Sequence, residues 1–238
     1  MILLKEEMMI VQMADGTGMV ELYDSMVMAP PLKAVNMARG SFGKRVAAFD
    51  KSRHTRFLDH LAKEFHTAPM RHSYITLYVQ APEVVARQWW KHIVGGEYSF
   101  KDTGWSELSG RYVPYEHWYT PKEFHVQPQN KKSGRANEVH HRSNEFVARY
   151  QELIKQSFQL YSEMVDSGVA YEQARMHLPL STYTYFYWTA SGQALNHFVK
   201  LRRKHDAQAE IRVFADAVDT ICRSYYGELW DSMETYMT

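Results

Sequence analysis

Cysteine is nearly absent: Cys222 is the one thiol in 238 residues. That excludes an internal disulfide framework and every CxxC-type metal site. Cys222 falls in the late helical pattern ADAVDTICRSYY, beside Ile221 and four residues after Val218, a packing position for a small hydrophobe. Long apolar runs are missing too. No stretch is long enough to span a bilayer, and MILLKEEMMIVQMADG is no signal peptide, because Lys5, Glu6 and Glu7 interrupt its apolar residues. Excess charge of either sign is lacking: the formal net charge is +1, so no global field recruits nucleic acid or a membrane surface. Gly16-Thr17-Gly18 lacks the remaining spacing of a dinucleotide fingerprint. His66 and His72 lack a carboxylate or a third His at ligand spacing, so no metal is expected. The expectation is a cytoplasmic protein with neither nucleic-acid nor membrane partners.

What is present suits an α/β (α+β) fold with a central, mostly antiparallel sheet and long helices; the length suits one large domain or two tightly joined ones, and the expectation adopted is a single domain over 1–238. MMIVQMA and MVELYDSMVM read as two strands joined by a turn at Asp15 to Gly18. LKAVNMAR after Pro30 and Pro31 is a short helix, followed by a loop at Gly40 to Gly43. Asp50 to Glu64 is an amphipathic helix with Phe57, Leu58 and Leu61 inward and Arg53, His54 and Arg56 solvated. Ser73 to Gln80 alternates with the period of a strand and leads into a helix at Pro82. The segment 94–105 reads as a loop and 114–142 as polar and irregular. Ser143 to Asp166 is a long helix that Ser143 can cap, with Phe146, Tyr150, Leu153, Ser157, Leu160, Tyr161 and Met164 as its buried stripe. Tyr171 to His177 is a shorter helix. Ser181 to Thr189 is an aromatic strand, and a second long helix runs from Ser191 toward Arg212. Two further helices, Asp206 to Tyr226 and Glu228 to Tyr236, complete a scaffold.

Two polar clusters stand out. Helical spacing puts Gln88, Lys91 and His92 on one face while Val85 and Trp89 share another. Glu107, Ser109 and Arg111 alternate with Leu108 and Gly110, so an extended backbone aims the three polar side chains one way and leaves Gly110 free for close approach. Such a lining suits a polar, anionic ligand; on chemistry alone it equally suits a solvated surface.

These clusters resemble the signature of the flavin-dependent thymidylate synthases, the ThyX family, whose motif runs roughly RHRxxSxNExSxRY after an ARQWW-type helix. Ala86 to His92 match the lead-in, and Glu107 to Tyr112 match the exit. Lys91 replaces the first Arg of the motif, Ile93 the second, and Ser106 the usual Asn; the loop from Val94 to Trp105 is several residues longer. Three further blocks follow the same family. His66 to His72 is similar to HxTPFxH, with Ala68 for Thr and Arg71 where many members have Glu. Arg175 in EQARMHLPL matches ARxxLPL. Gln193 to Ala207 is similar to the helix that faces flavin and nucleotide, with Ser191 and Gln193 where many members carry Asn and Arg. The resemblance runs from about Ala34 to Ala215.

The resemblance implies reductive methylation of dUMP to dTMP, with methylenetetrahydrofolate as carbon donor, NADPH as reductant and FAD as hydride carrier, and no enzyme cysteine as nucleophile. It implies a homotetramer whose active sites form between subunits. Gln88, Lys91, Glu107, Leu108, Ser109, Gly110, Arg111, Arg175 and Arg202 are then expected at dUMP, with Arg202 catalytic because its charge stabilises the activated uracil ring. Ser41, His66, Arg71, Lys91, His92, Ile93, Glu107, Ser191, Gln193 and His197 are expected at FAD. Lys131 and Lys132 sit in a basic loop that could close over folate or dinucleotide, or simply face water. Two other readings stay open: a related flavin-dependent methylase or hydroxymethylase of another pyrimidine nucleotide, and a non-catalytic nucleotide-binding module of the same fold.

Overall fold

The computed structural model describes residues 2–5, 8–26, 29–92, 105–131 and 134–237. Its centre is one sheet of six strands: β1 (Ile2–Lys5), β2 (Met8–Gln12), β3 (Met19–Ser25), β4 (Tyr74–Pro82), β5 (Trp105–Glu107) and β6 (Tyr183–Ser191). The spatial order is β1-β2-β3-β4-β6-β5 and each neighbouring pair runs antiparallel. The hairpin between β2 and β3 is held by Asp15, whose Oδ1 accepts from the amides of Thr17 and Gly18, while its Oδ2 accepts from the hydroxyl of Tyr183. One aspartate thus shapes the turn and ties it to β6. β1 was not among the expected strands; Lys5, Glu6 and Glu7 obscure its pattern in the sequence.

Alternation decides what each face of the sheet carries. In β4, Ile75, Leu77 and Val79 are buried, as their period predicts, and in β6 so are Phe186 and Trp188. They meet α3 (Glu83–Trp89), α6 (Gly192–Arg202) and α7 (Ala209–Tyr226). Trp89 is the hub of that contact. Its ring lies 4.4 Å from that of Phe198, stacked, and meets Phe186 and Trp188 edge-on at 5.4 and 5.7 Å. The opposite face carries Tyr23, Tyr78, Tyr185 and Tyr187, whose rings pack on one another.

The other helices are α1 (Pro30–Arg39), α2 (Lys51–Lys63), α4 (Ser143–Asp166), α5 (Tyr171–Ala174) and α8 (Glu228–Tyr236), with α2 packed on α8. None of the described helices is long and apolar enough to cross a membrane. Several expectations need correction. His54 is buried, not solvated, because its Nδ1 accepts from the Asp50 amide at 2.8 Å, beside the Asp50 cap that accepts from the Arg53 amide. Ser143 does not cap α4; its hydroxyl accepts from the Phe124 amide and anchors the preceding segment. The inward face of α4 is Ile154, Phe158 and Tyr161, one position on from much of the expected stripe, and Leu153 and Leu160 are 64% and 47% exposed. The helix from Ser191 ends at Arg202, and a turn over 203–208 separates it from α7.

Candidate active site

α3 divides the polar residues into two groups. At 3.6 residues per turn, Glu83, Arg87 and Trp90 share one face, and Val84, Gln88 and Lys91 another. Glu83, Arg87 and Trp90 border a cleft shared with Tyr115, Arg175 and Thr182, whereas Val84 and Gln88 border a cleft shared with Tyr119, Ser181 and Gln208.

The group on the Gln88 side gathers at the C-terminal end of α3. Arg202, at the end of α6, donates from Nε to His92 Nε2 at 2.8 Å and from Nη2 to the Gln88 carbonyl at 3.0 Å. The Gln88 side-chain amide donates to Val84 O at 2.9 Å and to Gln208 Oε1 at 2.7 Å. His197, exposed on α6, places its ring 6.0 Å from that of His92. An imidazole nitrogen that accepts from a guanidinium must be unprotonated. Burial, then the charges of Arg202 and His197, accordingly pushes the His92 pKa down to about 4. Burial also lowers the pKa of Arg202. Lys91 is exposed beside this group.

The second group lies across α3. Glu107, at the end of β5, accepts from Thr184 Oγ1 at 2.8 Å. Desolvation raises its pKa, against the pull of Thr184 and Arg175. The Leu108 amide continues the ladder to Tyr185 O. The expected extended run stops there: Tyr112 and Val113 both donate to Ser109 O, so residues 109–113 turn rather than extend. Arg111 is exposed over the Tyr112 ring at 5.0 Å, with Nε donating to Ser109 Oγ. Gly110 does meet a close approach. A Cβ there would sit 2.3 Å from the Tyr115 ring. Tyr115 in turn faces Arg175, and Glu83 completes the cleft, its pKa pushed up to about 7 by desolvation first and the charge of Glu107 second, against Arg87 and Arg175.

A third cleft, of about 700 Å³, is lined by Ser41, His66, Arg71 and His72 with the exposed rings of Phe42 and Phe65. Ser41 donates to Ala38 O at 3.2 Å. Ser191 is buried as the cap of α6, accepting from the Ala194 amide, and Gln193 Oε1 is buried with no partner among the described residues. Lys131 borders the cleft on the Gln88 side, about 890 Å³ in volume. Ile93, Lys132 and all of the long loop except Trp105 lie outside the described residues; Trp105 stacks on Trp188 at 5.1 Å. Sequence reasoning missed Glu83, Tyr115, Thr184 and Gln208. Glu83 and Arg87 do stand four apart on one helix face, a signal for a facing pair; nothing local announces the other three.

Residues 21–226 match the family model described as thymidylate synthase complementing protein. A flavin-dependent thymidylate synthase of Thermotoga neapolitana is 35% identical over 206 residues, covering 87% of this chain and 86% of the relative. One of Treponema denticola is 32% identical over 212 residues, covering 87% and 75%. Among solved structures, the UMP/dUMP methylase PolB of Streptomyces cacaoi bound with 5-Br dUMP superposes with a TM-score of 0.74 at 28% identity, covering 91% of this chain and 94% of that one. The same methylase bound with 5-Br UMP gives 0.75 at 26% identity.

Proposed function

Because this chain belongs to the flavin-dependent thymidylate synthase family, we propose that it converts dUMP to dTMP by reductive methylation, with methylenetetrahydrofolate as carbon donor and NADPH as reductant. The observation that carries this reading is the convergence of Arg202, His92 and Gln88, drawn from two separate motif blocks, at one end of α3. Arg202 holds its charge beside a neutral His92 and against a backbone carbonyl, which fixes the guanidinium for a developing negative charge on a pyrimidine ring. Gln88 orients base or sugar from the same turn. Arg175 and Arg111 take the phosphate, where planar forks match its oxygens, with Lys91 as a point charge.

The third cleft supports a flavin adenine dinucleotide. Arg71, His66 and His72 offer donors for a diphosphate, and Phe42 and Phe65 offer ring faces. When bound, FAD supplies the hydride that turns a transferred methylene into a methyl group. Cys222 is fully buried and its thiol pushed well up by desolvation, which supports activation of the ring without a cysteine nucleophile. Division of the expected dUMP residues by α3 supports a homotetramer with active sites assembled between subunits, as do the exposed Leu153, Leu160 and Met176.

A second reading, methylation of UMP as well as dUMP, is favoured by the similarity to a methylase solved with analogues of both. The test is the mass of the nucleotide formed from dUMP, and separately from UMP, with FAD, NADPH and methylenetetrahydrofolate. A gain of one methylene unit on dUMP alone is the expected result. The same gain on UMP establishes the second reading; a hydroxymethyl product or unchanged nucleotides overturn both.

A further inference from the structure

We propose that Arg203 is a positioning residue for Arg202: it anchors the last turn of α6 to α7 and α8, and so sets the direction in which the Arg202 guanidinium meets His92 and Gln88. The inference rests on the nucleotide reading above and deepens it, since it names what holds the side chain assigned to the pyrimidine ring. Helical spacing gives α6 two working stripes. Phe198 and Arg202, four apart, face α3: Phe198 stacks on Trp89, and Arg202 donates to His92 Nε2 and to the Gln88 carbonyl. Asn196, Lys200 and Arg203, four and three apart, carry the contacts to α8 instead. Asn196 donates to Glu234 Oε1 at 2.6 Å, and Lys200 Nζ donates to the carbonyls of Met233 and Met237. Arg203 ends this stripe, its amide closing the helix on Val199 O at 2.9 Å.

The Arg203 guanidinium reaches three carboxylates on two helices. Its Nε donates to Asp216 Oδ1 at 2.8 Å, and its Nη1 lies 3.2 Å from Asp219 Oδ2 and 3.7 Å from Glu234 Oε2. Asp219 is the firm point of the set: it is 6% exposed, and its other oxygen accepts from the indole Nε1 of Trp230 at 2.8 Å. A single exposed ion pair contributes little, but a planar fork on several carboxylates, one of them buried, defines a direction as well as a distance. Successive residues of a helix point about 100° apart. Fixing Arg203 on α7 and α8 therefore fixes the angle at which Arg202 leaves the same turn toward α3. Arg223 supplies a control within the same network. It pairs with Asp219 and Glu234 at 3.0 and 3.8 Å and with Asp231 at 2.8 Å, but it projects from α7, so its loss leaves Arg203 with all three of its carboxylates.

The experiment compares wild-type protein with Arg203→Gln, Asp216→Ala and Arg223→Gln. It measures turnover of dUMP with FAD, NADPH and methylenetetrahydrofolate, the thermal transition, and the His92 titration midpoint from its ring-proton resonances. Arg203→Gln is expected to lower kcat on the order of tenfold and to change the Michaelis constant for dUMP far less, because Arg202 acts on charge that develops in the transition state. Its His92 midpoint is expected to rise from about 4, as the Arg202 guanidinium is held less firmly against Nε2. Asp216→Ala, at an exposed position, is expected to move both readouts the same way by less. Arg223→Gln is expected to lower the thermal transition while kcat and the His92 midpoint stay at their wild-type values. An equal fall of kcat in Arg203→Gln and Arg223→Gln, or an unmoved His92 midpoint in Arg203→Gln, overturns the positioning role and leaves the nucleotide reading in place. Where Arg203→Gln fails to fold, Asp216→Ala decides by the same two readouts. A wild-type protein that does not turn over dUMP overturns the nucleotide reading, and the His92 midpoints then still decide whether Arg203 holds Arg202 in place.

Discussion

At the scale of one residue, Arg202 is the side chain whose environment says most about its task. Its Nε is spent on His92 and one Nη on the Gln88 carbonyl, which fixes the guanidinium at the end of α3. Arg202→Ala is expected to lower turnover by roughly 10²- to 10³-fold, the usual loss for a charge-stabilising donor, while flavin absorbance of the purified protein is retained. Loss of flavin together with turnover would assign Arg202 to cofactor binding instead. His92 gives an independent check. Its pKa is held at about 4 by burial and by Arg202, so removal of the guanidinium is expected to raise the His92 titration midpoint toward the ordinary imidazole value, as read from its ring-proton resonances. The sign for stability follows. Unfolded chains protonate this histidine near 6.5 and the folded chain does so only near 4, so the stability that neutral His92 contributes is lost as pH falls between those values.

At the scale of elements, the sequence was legible wherever one period dominated. α4 was expected from Ser143 to Asp166 and is found there, since its apolar spacing is sustained over 24 residues. Tyr161 is buried as expected, but the rest of the inward face was misread because two stripes run side by side, one at Leu153, Ser157 and Leu160 and one at Ile154, Phe158 and Tyr161, and the pattern of a single helix does not say which stripe meets its own core. His54 was misread because its burial follows from a local hydrogen bond to the Asp50 amide rather than from hydrophobicity. The run from Glu107 to Arg111 failed as a strand because the backbone turns after Leu108. That turn makes Gly110 informative. A methyl group there meets the Tyr115 ring at 2.3 Å and must displace it from Arg175. Gly110→Ala is therefore expected to weaken dUMP binding several-fold, as much overpacking costs about 1–3 kcal/mol, with secondary structure by circular dichroism unchanged; unaltered binding would show that Tyr115 can move without consequence.

At the scale of the whole molecule, the motif blocks that the sequence presents as one signature occupy different sides of α3. Gln88, His92 and Arg202 lie at one end of that helix; Glu107 and Arg175 belong to the cleft system across it; Ser41, His66 and Arg71 form a third cleft near α1. No linear motif carries that division, because Arg87 and Gln88 are adjacent in sequence and 100° apart around the helix. The active sites proposed to be shared between subunits would resolve it, with one subunit offering the Arg202 group and another the Arg175 group. Arg202→Ala and Arg175→Ala are each expected to be inactive alone. Mixed under conditions that exchange subunits, they are expected to regain a measurable fraction of wild-type turnover, because some interfaces then pair an intact Arg202 with an intact Arg175. A site completed within one chain forbids that recovery: every subunit in the mixture would still lack one of the two arginines.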